Sequence, residues 1–141
     1  MEDKNYRLSY VLILSVNQNK TLFDNQEYKD SFKKITDKVI NYSGFNMVTF
    51  EETSIYSNYV RVTLSLVPQV IPINFLKTFK SMLAKEWFKK YPETRELLRG
   101  SLWENRKYLF VTIDPDNNSE QLITEFIKSL NSKESRGHYE R

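Results

Sequence analysis

Residues 59–67 read Tyr-Val-Arg-Val-Thr-Leu-Ser-Leu-Val, with Val60, Val62, Leu64 and Leu66 alternating against Tyr59, Arg61, Thr63 and Ser65. Apolar residues at period two mark a strand that turns one face to a core. Pro68 and Pro72 close it, because proline cannot donate to a strand ladder. Residues 45–55 predict the preceding strand, and Tyr56-Ser57-Asn58 joins the two as a turn. This central hairpin orders the rest of the chain around it.

On its N-terminal side, Leu8 to Val16 (Leu-Ser-Tyr-Val-Leu-Ile-Leu-Ser-Val) is short and rich in β-formers, which predicts a buried strand. Asp24 is placed to cap a helix over residues 25–42, where Tyr28, Phe32, Ile35, Val39 and Tyr42 recur at threes and fours before Gly44. On the C-terminal side, residues 73–91 predict a second helix with Phe75, Leu76, Phe79, Met82, Leu83 and Trp87 on one arc. Lys77, Ser81, Lys85 and Phe88 lie toward the other arc, and Pro92 ends the helix. A polar connection leads to a strand over residues 108–113. Asp114-Pro115-Asp116-Asn117-Asn118 forms a turn, and Ser119 can cap a last helix through about residue 130.

The order β-α-β-β-α-β-α places the chain in the α+β class. Its first six elements are those of a ferredoxin-like βαββαβ antiparallel sheet with helices on one face, followed by a C-terminal helix. Residues 1–131 are expected to form a single domain and residues 132–141 a polar C-terminal tail.

Composition narrows the chemistry. A chain of 141 residues with three glycines carries no GxGxxG or Walker-type run, so a glycine-cradled phosphate site is not expected. The absence of cysteine excludes disulfides, thiolate nucleophiles and Cys-ligated zinc. No apolar run approaches the roughly 20 residues that span a bilayer, so a cytoplasmic protein without membrane association is expected. Net charge is +3, unevenly placed: residues 72–108 carry nine basic against four acidic side chains, while residues 1–71 balance. That concentration suits a polyanion-binding face, and equally a solvated lysine-rich helix.

The second half resembles the single-tyrosine HUH transposases of the insertion sequence 200/605 group. In that family the third strand carries an Asp-His-Val-His-Leu-Leu-type motif. A basic, serine-containing helix ending near Phe-Pro follows, then a Leu-Trp…Tyr-Phe-Val-x-Thr-like strand and a helix with Tyr-Ile-x-x-Gln. The matching stretches here are Asn58 to Leu64, Phe79 to Lys85 with Tyr91-Pro92, Leu102-Trp103 with Tyr108 to Thr112, and Ile123 to Ile127. The Leu-Trp to Tyr spacing is one residue longer than usual. Tyr10 to Ser15 sits where the opening strand falls, without the family's Thr-Lys-Tyr-Arg. The resemblance spans about residues 6–131.

It implies a site in which two imidazoles and a helix-borne side chain hold Mg²⁺ or Mn²⁺ on a scissile phosphate. A tyrosine then attacks that phosphate and stays linked to DNA. Here Tyr59 and Arg61 occupy the histidine slots, Phe126 the tyrosine slot, and Asn131 falls roughly at the glutamine ligand. A phenol and a permanent cation do not replace two imidazoles, and phenylalanine carries no nucleophilic oxygen. The single histidine, His138, cannot make a pair. No catalytic residue is intact, and no metal or other cofactor is expected.

What the resemblance leaves is DNA binding, to a single strand or hairpin, through Arg61, Lys77, Lys80, Lys85, Lys89, Arg106 and Lys107. Arg61 could meet a phosphate directly or pair with Glu51 or Glu52. Phe88 could stack on a base or pack beneath a loop, and Trp87 and Trp103 read as core. Family members dimerise, so a homodimer is expected; the apolar face of the last helix (Leu122, Ile123, Phe126, Ile127, Leu130) could equally dock on its own sheet. Two further readings stay open: an active divergent transposase with a relocated site, and a protein-interaction module that kept the fold.

Overall fold

The computed structural model describes residues 7–113 and 119–131. Its elements are β1 (Leu8–Val16), α1 (Gln26–Ile40), β2 (Val48–Ile55), β3 (Tyr59–Leu66), α2 (Pro72–Lys90), a four-residue helix α3 (Thr94–Leu97), β4 (Trp103–Thr112) and α4 (Ser119–Asn131). The sheet runs β2-β3-β1-β4 and is antiparallel throughout.

Alternation along the two central strands divides the molecule. Leu12, Leu14, Val60, Val62 and Leu64 enter one core with Phe32 of α1 and Phe75, Phe79, Leu83 and Trp87 of α2. Val11, Ile13 and Tyr59 enter a second, smaller cluster closed by Ile123 and Leu130 of α4. The ferredoxin-like α+β expectation therefore holds, with α1 and α2 on one face and α4 covering the other. The last helix docks on its own sheet.

Several boundaries differ from the sequence expectation. Asn25, not Asp24, caps α1: its side chain accepts the Tyr28 backbone N–H at 3.1 Å. Asp24 is occupied elsewhere, accepting the Ser57 hydroxyl at 2.6 Å and tying the start of α1 to the β2–β3 turn. The first helix ends at Ile40, so Tyr42 lies beyond it and is exposed. Residues 43–45 make a short 3₁₀ turn that tucks Phe45 into the core, which delays β2 to Val48.

The largest difference is β4, which begins at Trp103 rather than Tyr108. Leu14 pairs with Tyr108 and Val16 with Trp103, so residues 104–107 face Ser15 alone. This bulge explains why Glu-Asn-Arg-Lys showed no strand periodicity, since extra residues in one strand break the alternation. The Ser15 hydroxyl donates to the Lys107 carbonyl at 2.5 Å and fixes the bulge. The turn at residues 114–118 and the tail at 132–141 lie outside the described residues.

Candidate nucleic-acid interface

The first turns of α2 and the bulge of β4 enclose a groove of about 380 Å³. Trp103 fixes its floor: the indole is buried, and its N–H donates to the Lys80 carbonyl at 3.2 Å. Lys77, Lys80 and Ser81 line one wall, Asn105 and Tyr108 the other. The Lys80 ammonium donates to the Asn105 side-chain oxygen at 3.5 Å and lies 5.3 Å from the centre of the Tyr108 ring. Partial burial holds its pKa below the ordinary lysine value, because desolvation disfavours the charged form. Tyr108 is 36% exposed. A partly desolvated ammonium over a partly exposed aromatic ring is chemistry that suits a phosphate and an adjoining unstacked base.

The structure gathers only part of the expected basic set here. Arg106 and Lys107 ride on the bulge beside the groove without lining it. Lys85 and Lys89 are exposed farther along α2; with Lys77 and Ser81 they recur every four residues, an oblique stripe across the helix. Lys89 reaches the other flank of α2, where α1 packs. Arg61 pairs across the sheet with Ile13, on the face that α4 covers, whereas Tyr108 pairs with Leu14 on the α2 face. Arg61 and the groove therefore lie on opposite sides of the sheet.

Sequence reasoning missed Asn105, Ser81 and Tyr108 as groove residues. Tyr108 had a usable signal, since it shares strand parity with Phe110, which packs against the α1–α2 core. The bulge that brings in Asn105 had none. Phe88 is buried with the Arg95 guanidinium 4.2 Å above its ring, so it packs rather than waiting for a base. Trp87 is fully buried and donates to Thr94 Oγ1 at 2.9 Å.

Tyr59, Arg61 and Phe126 all belong to the opposite face. Tyr59 is buried, and Phe126 packs against the cluster that contains it. The Tyr59 ring stacks on Tyr56 at 4.6 Å. Arg61 is the next residue of β3 on that face, and no carboxylate pairs with it among the described residues, where the ion pair is Lys38–Glu86. Glu51 instead accepts the Ser65 hydroxyl at 2.9 Å. Asn131 ends α4 and is exposed.

Residues 4–136 match the family model described as transposase IS200 like. The chain belongs to the IS200-like transposase family. It is 30% identical over 130 residues to the ISDra2 transposase TnpA of Deinococcus radiodurans, an alignment covering 92% of this chain and 88% of that protein. A crystal structure from Deinococcus radiodurans R1, described as a candidate transposase, superposes with a TM-score of 0.73 at 23% identity. It covers 89% of this chain and 92% of its own, and it speaks for the fold.

The metal implied by the resemblance does not fit this IS200-like chain's residues. Burial, then the neighbouring Tyr56, raise the Tyr59 pKa, and Arg61 only partly offsets them. The phenol therefore stays protonated at neutral pH, while Arg61 adds positive charge where a cation would sit. Among the described residues no three His, Cys, Asp or Glu side chains converge. His138 lies outside the described residues.

Proposed function

We propose that this IS200-like chain holds single-stranded or hairpin DNA on its basic α2–β4 surface without cutting it. The observation that carries this reading is the groove in which Lys80 lies against Tyr108, with Lys77, Ser81 and Asn105 around it. Its ammonium groups suit the phosphate backbone, and its ring suits any base, which is the sequence-tolerant chemistry of single-strand binding. The lack of cutting follows from residue chemistry: Phe126 has no oxygen to attack with, and Tyr59 and Arg61 are poor metal ligands.

The chain acts as a homodimer in this reading. Both outer strands, β2 and β4, have one unpaired edge among the described residues, and such edges are templates for joining sheets. No described helix is long and apolar enough to cross a membrane, which supports a cytoplasmic site of action.

The test is a salt titration of single-strand binding with the double variant Lys77→Ala/Lys80→Ala. Two lost phosphate contacts should flatten the slope of log affinity against log salt by about 1.4. An unchanged slope in a folded variant would mean that the groove is not the DNA surface.

A further inference from the structure

No carboxylate lines the α2–β4 groove, and the hydrogen bonds already made there weight it further toward donors. Asn105 Oδ1 accepts from the Lys80 ammonium at 3.5 Å, which engages the amide's acceptor and orients its other end outward. Asn105 Nδ2 keeps both N–H donors free of protein partners among the described residues. Lys80 has three donors, of which Asn105 takes one. Apart from Lys77 and the buried Trp103 indole, the remaining polar side chains of the lining are the hydroxyls of Ser81, Ser101 and Tyr108. Hydroxyls discriminate little, because each can both give and take a hydrogen bond.

Stacking on Tyr108 would tolerate any base, so selection falls to the edge contacts. Guanine presents two acceptors side by side, N7 and O6. Adenine sets an amino donor beside N7, cytosine offers an amino donor, and thymine a single O4 acceptor. An asparagine with both ends free pairs with adenine, giving one hydrogen bond and taking one. Here Lys80 removes the acceptor, and that preference goes with it. Two neighbouring donors, Lys80 Nζ and Asn105 Nδ2, find two neighbouring acceptors only in guanine. Against adenine, one of them faces another donor.

We infer that the α2–β4 groove selects guanine in a single strand, with Lys80 donating to O6 and Asn105 Nδ2 to N7 while Lys77 holds a neighbouring phosphate. The inference rests on the DNA-binding reading above and names its base specificity. Asn105 determines that specificity, and Lys80 serves both base and backbone.

Fluorescence anisotropy at fixed salt tests this with a labelled short thymidine strand carrying one central guanine. The comparison strands carry adenine, 7-deazaguanine or thymine at that position. The guanine strand should bind about tenfold tighter than the adenine strand. Replacing N7 by carbon in 7-deazaguanine should remove most of that advantage. The variant Asn105→Ala should remove it too, while leaving affinity for the all-thymidine strand nearly unchanged. Asn105 is exposed on the bulge, so the fold tolerates the change. If the wild type binds the guanine and adenine strands equally, the guanine inference is overturned and the DNA-binding reading stands. A guanine preference that survives Asn105→Ala in full would also overturn it, by placing the selection elsewhere. If the wild type binds none of the strands, both fall.

Discussion

Lys80 is where the account meets one side chain's proton. Its ammonium is partly desolvated, so its pKa lies below 10.5 in the free protein, and a bound phosphate favours the charged form and raises it again. The sign follows directly. Below the lowered pKa, Lys80 is charged before and after binding and affinity is flat with pH. As pH rises through that value toward 10.5, binding requires proton uptake and weakens. An oligo-deoxyadenosine strand, whose bases do not titrate in this range, should lose affinity earlier for the wild type than for Lys80→Arg, because arginine stays charged. Coincident pH profiles would remove Lys80 from the interface. Tyr59, Arg61 and Phe126 belong to the opposite face, where the proposed reading has a phenol, a guanidinium and a benzyl ring in place of a metal site and a nucleophile.

At the scale of elements, α4 is fastened by a polar latch as well as by its apolar face. Asn19 Nδ2 donates to the Leu130 carbonyl at 3.1 Å, and Asn19 Oδ1 accepts from Asn58 Nδ2 at 2.6 Å. Asn58 is buried beside Tyr59, and Asn19 has a backbone φ of 54°, a conformation asparagine tolerates better than alanine. Asn19→Ala loses both hydrogen bonds and strains the turn, a cost of about 2–4 kcal/mol. Amide exchange in the last turn of α4 should accelerate accordingly, and unchanged protection would show that the apolar contacts hold the helix alone. This latch was not legible in the sequence, since it joins residues 111 apart. The strands and helices that bury one face were legible, because β3 alternates cleanly and α1 and α2 repeat at threes and fours. Asp24 misled as a cap because a tertiary partner, Ser57, claims its carboxylate. The start of β4 was hidden because a bulge has no period, and with it went Asn105, half of the groove's polar lining.

For the molecule as a whole, charge and topology act together. The sheet separates the face of Tyr59, Arg61 and Phe126 from the face on which α1 and α2 pack. Tyr59, Arg61 and Phe126 thus lie across the sheet from the α2–β4 groove, and in the proposed reading cutting is lost while binding persists. The helix-bearing face offers Lys80 over the partly exposed Tyr108 ring at β4, the feature on which the proposed DNA binding rests. The most direct test is a native gel shift with a labelled hairpin and its flank, drawn from the DNA beside the chain's own gene, with Mn²⁺ present and duplicate lanes denatured. The account predicts a shift that weakens steeply with salt and exceeds that of a scrambled strand, with the DNA recovered intact and free of protein after denaturation. No shift at micromolar protein would contradict the binding claim, and a cut strand or a covalent protein–DNA adduct would contradict the loss of catalysis.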